Sequence, residues 1–225
     1  MTFLEMAQRL RQEAGIAGTG PSTVLAQTGE AGRVVDWILE ANDDIQNIRA
    51  TWKFLQESFS KSTVSGTQNY TLSDLSLTDL GSWKLGEDTD MTIYSSAADE
   101  TFLLYVPWDE FRALYLFGAN RSSSGRPTVV TVKPDNSISF WPIPDAVYTF
   151  TGEYFKKAQT MSADDSESLI PSQFHMIVVW RGLMFYGAYS GAADAYTHGN
   201  NEYKSLLKKL EKSQLPKIGW GEPLA

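Results

Sequence analysis

The sequence contains no cysteine. That excludes a disulfide framework, a thiolate nucleophile and any cysteine-built metal site. Histidine is almost as scarce. His175 and His198 are the only two, they lie far apart, and neither belongs to a metal motif. His175 sits in an apolar run and reads as a satisfied, partly buried core residue; His198, in "YTHGNN", reads as a helix end. Positive charge is in deficit as well: 19 Lys and Arg against 27 Asp and Glu give a net charge of −8. The imbalance is spread along the chain, at −3 for residues 1–58 (5 basic, 8 acidic), −4 for 59–160 (8 and 12) and −1 for 161–225 (6 and 7). Tight binding of nucleic acid through the overall field is excluded, because phosphate binding needs Lys and Arg. A path along which DNA slides without being gripped is compatible with such a field.

Long apolar runs are missing too. The first residues, "MTFLEMAQRLRQEAG", carry Glu5, Arg9, Arg11 and Glu13 and lack the basic-then-apolar order of a signal peptide. The most apolar stretch, "FHMIVVWRGLMFYGAYSGAA" (174–193), contains His175 and Arg181 and three Gly. A charge at the centre of a span is costly, so this stretch reads as a central buried helix whose Gly and Ala allow close helix approach, and no membrane is expected.

Catalytic signatures are equally thin. There is no G-x-S-x-G elbow. "GIAGTGPS" matches neither the dinucleotide nor the P-loop pattern, and no strand precedes it. "EDTD" (87–90) and "ADD" (163–165) read as solvated turns. Asp43/Asp44 and Asp109/Glu110 are adjacent in sequence and point about 100° apart on a helix, unlike a catalytic carboxylate pair. No enzyme, cofactor or metal is expected.

What is present is a 225-residue chain, 42% hydrophobic and 20% charged, long enough to bury a sizeable core. Aromatics reach 12%, a composition that suits large interfaces as well as cores. Residues 2–14 read as an amphipathic helix with Phe3, Ala7, Leu10 and Ala14 on one face, Thr2 and Glu5 as a capping box and Gly15 as its stop. Residues 15–29 are Gly/Ser/Thr-rich loop. Val34, Ala41, Ile45, Ile48, Trp52 and Leu55 then recur at helical spacing and predict a single helix over 30–57, about 40 Å long.

From 58 the period changes. "SFSKSTVSGTQNYTL" (58–72) is Ser/Thr-rich with a turn at Gly66, and strands are predicted at 68–72, 91–95, 102–106, 128–132, 138–141 and 146–155. Pro107 and Gly118 bound a short helix between them. In "SFWPIPDAVYTF" (139–150), Pro142 and Pro144 cannot donate to a ladder, so they turn the chain between two strands of a three-stranded meander, with Trp141 packed near the sheet end. On the last strand Tyr148, Phe150 and Tyr154 share a face. The helical period returns at 172–194 and at about 200–213. The predicted fold is α+β: a helical bundle from residues 1–58 and 159–214, an inserted antiparallel β-sandwich or barrel-like domain over 59–158, and an extended tail over 215–225. That tail carries Ile218, Trp220 and Leu224, which a solvated tail rarely needs.

The ordered set "TFLEMAQRLRQEAGIAGTGPSTVLAQTGEAGRVVDWILEANDDIQNIRATWKFL", "VPWDEFRALY", "ISFWPIPDAVYTFTGEYFKKAQTM" and "IPSQFHMIVVWRGLMFYGAYSGAADAY" resembles the head-to-tail adaptor (head completion, or connector) proteins of tailed bacteriophages. The resemblance runs over essentially the whole chain. It implies a helical bundle with an inserted β domain and a structural virion protein of the neck or tail region, assembled in the host cytoplasm. It further implies a homo-oligomeric ring, typically a dodecamer, docked beneath the portal protein. Such a ring extends the channel for double-stranded DNA without sequence-specific binding and carries the tail nozzle or other tail proteins. Carried over to this chain, Lys217, Ile218, Trp220 and Leu224 would be the portal-docking residues. Two other readings stand beside it: a carbohydrate- or receptor-binding module of a phage tail presenting Trp83, Trp108 or Trp141, and a cell-wall hydrolase.

Overall fold

The computed structural model describes residues 1–18, 20–86 and 90–215. Five helices occur among them: α1 (Phe3–Glu13), α2 (Gly29–Asn47), α3 (Trp108–Tyr115), α4 (Met176–Ser190) and α5 (Ala193–Gln214). The strands are β1 (Gln56–Ser62), β2 (Asn69–Tyr70), β3 (Leu80–Trp83), β4 (Met91–Tyr94), β5 (Thr101–Phe102), β6 (Leu104–Tyr105), β7 (Ser124–Gly125), β8 (Val129–Val132), β9 (Ile138–Trp141), β10 (Ile143–Pro144) and β11 (Thr149–Lys156). The fold is α+β. It forms two compact units, one from Met1–Leu55 together with the chain from Ala158 onward, the other from Gln56–Lys157.

In the helical unit, α1 starts where its capping box predicts. Glu5 N donates to Thr2 Oγ1 and Thr2 N to the Glu5 carboxylate, which satisfies two donors of the first turn. Phe3, Met6, Ala7 and Leu10 form its buried face. The apolar run becomes α4, whose Ile177, Val178, Val179 and Leu183 are buried. Its glycines serve close packing. A Cβ on Gly187 would stand 2.7 Å from Tyr196 N, and one on Gly199 would stand 2.9 Å from Trp180 O, so the crossing of α4 and α5 depends on their absence. Gly199 therefore sits inside α5, which begins at Ala193. The helix end expected around His198 is absent, and His198 is an exposed residue of that helix.

The long helix predicted over 30–57 is also corrected. α2 stops at Asn47. Trp52 folds back and donates its indole N–H to Ile45 O at 3.1 Å, a carbonyl of the last turn that also accepts from Ile48 N at 3.4 Å. Trp52 and Leu55 are buried, as their spacing implies, but from a turn and a short 3₁₀ segment (Lys53–Leu55) rather than from the helix. The returning chain is tied to α2 by a buried polar set. Asn42 Nδ2 donates to Gln159 O (2.9 Å), Ser168 Oγ donates to Asn42 Oδ1 (2.6 Å), and Gln159 N donates to Gln46 Oε1 (3.0 Å). Every member is satisfied, which is what makes a buried polar network tolerable.

In the β unit, β1 pairs along β11 from Gln56↔Phe155 to Ser62↔Thr149. Residues 56–62, where no strand is predicted from the sequence, thus form a strand. One sheet runs β1-β11-β4-β5, with β3 also on β11, and a second runs β2-β9-β8-β6. Their facing side chains share one core: Phe59, Met91, Ile93, Phe150 and Tyr154 from the first, Tyr70, Val130, Ile138 and Phe140 from the second. Phe140 and Phe150 meet edge-to-face across it at 4.9 Å. Because β5 edges the first sheet and β6 the second, residues 101–105 cross between them and close one side of the sandwich. The ladders are antiparallel except for two short parallel pairs, β6 with β8 and β10 with β7.

The predicted meander is overturned. β8 and β9 form a hairpin, but β11 belongs to the other sheet. "PIPD" is where the chain changes sheet. Pro142 and Pro144 bring no donors to continue the ladder of β9, and Ile143–Pro144 pairs instead with Ser124–Gly125.

Candidate assembly surfaces

The helical unit carries a groove of about 290 Å³. Its floor is apolar, from Phe3, Val24, Val35, Leu39 and Met161, with Leu25 and Asp36 also lining it. Three features build it. Asp164 Oδ1 accepts from Val24 N at 2.6 Å and from Thr23 Oγ1 at 3.0 Å, which pins the loop before α2. Ala26 adopts a left-handed conformation (φ 52), unusual and costly for a residue with a Cβ. Gly32 lets the chain fold back, since a Cβ there would stand 2.9 Å from Gln27 O. Leu25 is left 56% exposed beside the groove.

A second surface of this unit is aromatic. The Arg33 guanidinium lies 4.2 Å from the centre of the Tyr189 ring, and Trp37 packs against Tyr189 at 5.7 Å and Tyr186 at 6.0 Å. Tyr189 remains 60% exposed. Arginine, tyrosine and tryptophan are the residue types enriched at protein interfaces.

The β unit exposes Phe102 and Leu104 on its closing segment and Leu114 and Phe117 on and after α3. α3 buries only Phe111, against Val106 and Val129, so its outer side is free to carry Leu114. Phe117 is 77% exposed. Neighbouring polar groups lock the edge strand. Arg126 donates to Asp99 Oδ2 (3.0 Å), Ile93 O (2.8 Å) and Thr101 Oγ1 (3.2 Å). The Ser95 hydroxyl and the Ser96 N–H on its carboxylate, with Arg126 beside it, hold Asp99 down at about 2. Burial, and then its hydrogen bond to Asp79, pushes Tyr154 up to about 12. Each of these partnerships organises the fold.

The residues singled out by sequence are not brought together. Trp83, Trp108 and Trp141 are all half-buried. Trp83 packs on Phe59 at 5.4 Å and donates to Asn136 O; Trp141 packs on Tyr115 at 4.7 Å and donates to Asn120 O; Trp108 stacks on Phe111. His175 is fully buried rather than partly, with one ring nitrogen 2.7 Å from Ile170 O and the other 2.7 Å from Met1 N. Asp44 pairs with Arg181 at 2.8 Å, and Asp164 of "ADD" pins the groove loop. Lys217, Ile218, Trp220 and Leu224 lie outside the described residues, as do three positions of "EDTD". Among the described residues no cluster of three or more His, Asp and Glu could hold a metal ion, and no helix is long and apolar enough to cross a membrane. Sequence reasoning missed the groove and the exposed Phe102 and Phe117. The one signal available was the run of apolar residues at 24–25 inside a loop otherwise rich in Gly, Ser and Thr.

Exposed apolar side chains grouped in this way are typical of surfaces that other proteins cover. The SU10 adaptor protein family profile matches residues 1–223. The chain belongs to that family. SU10 adaptor proteins are of the phage head-to-tail adaptor type, so this chain is a phage structural adaptor protein and a virion component, a class that implies no catalysis. No curated protein matches the chain.

Proposed function

We propose that this SU10 adaptor protein assembles as a closed ring beneath the phage portal, continues the DNA channel and presents a platform to tail proteins. Family membership over nearly the whole chain supports this reading, and one observation carries it: both units leave large apolar side chains in solvent, Leu25 and Tyr189 on one, Phe102 and Phe117 on the other. Burial of such side chains against other subunits is their physical use. A heterologous contact that closes by rotation gives a ring, and a twelvefold ring would match a twelvefold portal. The net charge of −8 suits a channel wall that lets double-stranded DNA slide past without holding it. No step of this role calls for a cofactor or a membrane.

Native mass spectrometry with electron microscopy, on the full chain alone and mixed with its portal, tests the reading. A closed ring stoichiometric with the portal is expected. A chain that stays monomeric beside a portal shown to be competent for assembly overturns it.

A further inference from the structure

The groove beside α2 is open, apolar and unfilled by the described residues, and the chain itself supplies a segment of matching chemistry. Residues 216–224 read "PKIGWGEPL". In an extended segment Ile218 and Trp220, two residues apart, project to the same side, with Lys217 next to them. An apolar cavity of about 150 Å³ accepts benzene, so about 290 Å³ accommodates an indole with room for an aliphatic neighbour. Asp36 lines the groove and makes no ion pair among the described residues, which gives Lys217 a partner.

Five residues after Leu215 are too few to reach the groove of the same subunit. α4 runs antiparallel to α2, since Arg181 bonds Asp44 and Tyr189 packs on Trp37. α5 runs back along α4 and so parallel to α2, with Tyr203 near Arg181 and Glu211 bonded to Arg49 at 3.2 Å. Leu215 therefore leaves the bundle past the C-terminal end of α2. The groove lies toward the other end, at Gly32, Val35, Asp36 and Leu39. From Asp36 to Asn47 alone the axis rises about 16 Å. The groove also opens on the far side of α2 from α4: its residues recur at i, i+3, i+4 and i+7, whereas Arg33, Trp37 and Asp44, which meet α4, fall on the opposite face. A chain returning from Leu215 must travel back along α2 and around a helix 10–12 Å thick, a path on the order of 30 Å. Five residues span at most about 18 Å.

We infer that the α2 groove of one subunit receives Ile218 and Trp220 from the C-terminal segment of a second copy of this chain, with Lys217 of the incoming segment on Asp36. The contact is heterologous, groove on one copy and segment on the next, so repetition by rotation closes a ring. It deepens the proposed ring reading and rests on it. It also assigns Lys217, Ile218 and Trp220 to the neighbouring subunit in place of the portal.

The absence of cysteine makes a clean test. Full-length Leu25→Cys and full-length Gly221→Cys are prepared separately, mixed with the portal present, and oxidised; neither variant has an internal partner, so a mixed disulfide reports contact between copies. A disulfide-linked heterodimer is expected in high yield, lost when Trp220→Ala is added to the second chain, and the concentration needed for ring assembly rises at least about tenfold for Trp220→Ala alone. Asp36→Lys and Lys217→Glu each weaken assembly, and the two together restore it. Rings that form without the mixed disulfide, or whose assembly is indifferent to Trp220→Ala, overturn the inference and leave the ring reading intact. A disulfide from Gly221→Cys to a cysteine placed on the portal, without the mixed one, overturns it in favour of portal docking. Monomers under every condition overturn both.

Discussion

Arg126 binds the Asp99 carboxylate at 3.0 Å while the same guanidinium donates to the Ile93 carbonyl at 2.8 Å. One side chain thus spans the strand β4, the turn after it and the start of β5, where the β unit closes. The same guanidinium lies over the Tyr148 ring, 5.7 Å from its centre. The planar fork suits several acceptors at once, which a lysine point charge does not.

Arg126→Ala is expected to lower the melting temperature of the β unit by about 4–8 °C, the shift that roughly 1 kcal/mol produces in a domain of this size. Arg126→Lys is expected to recover little of it. Hydrogen exchange should accelerate at β4 and β5 before the rest of the sandwich. Uniform acceleration would show that the contact does not serve this edge.

The acid response follows from Asp99. Its carboxyl titrates at about 2 in the folded chain, below the ordinary value near 3.9, first because of the Ser95 hydroxyl, then the Ser96 N–H, with Arg126 adding to them. A depressed folded value means stabilisation that is whole above about pH 4 and is lost as pH falls toward 2. Urea midpoints at pH 5, 3 and 2 should therefore fall less steeply for Asp99→Asn than for the wild type, from a lower starting point. Parallel curves would assign the acid loss to other carboxylates, such as Asp74 and Asp135, which Thr71 and Ser137 also hold low.

Gly187 tests the bundle. A methyl group there would stand 2.7 Å from Tyr196 N, against backbone that cannot swing aside. Gly187→Ala should cost about 1–3 kcal/mol by urea unfolding. The helix itself gains from alanine, so a neutral or stabilising result would mean that α4 and α5 separate readily.

Phe117 tests assembly apart from stability. At 77% exposure it contributes little to the folded monomer, so Phe117→Ser should leave unfolding within about 0.5 kcal/mol of wild type. Binding to portal or tail proteins, followed by light scattering, should weaken. Unchanged assembly would remove this surface from the set of contacts.

Much of the architecture was legible because it rests on local chemistry. The Thr2–Glu5 capping box, the apolar face of α1 and the Gly-permitted packing of α4 are written in spacing and residue type. What was illegible depends on partners distant in the chain. β1 buries one aromatic, Phe59, among Ser, Glu and Lys, and is a strand because its backbone pairs with β11 some ninety residues on. α2 ends early because Trp52, at a helical interval from Ile45, caps the helix instead of extending it. The groove arises from a left-handed alanine, an aspartate at 164 and a glycine at 32, three residues with no common sequence signature.

The pairing of Gln56 with Phe155 carries a consequence for how such a chain can change over time. The strand that leaves the helical unit and the strand that returns to it are ladder partners, about 5 Å apart. The roughly hundred residues between them therefore begin and end side by side. To the bundle they are a cassette: a link of a few residues from Leu55 to Ala158 would close the gap they leave. Selection can then lengthen, exchange or remodel the sandwich to meet a new partner while the helices keep their packing, so two contact surfaces on one chain can answer to two different neighbours.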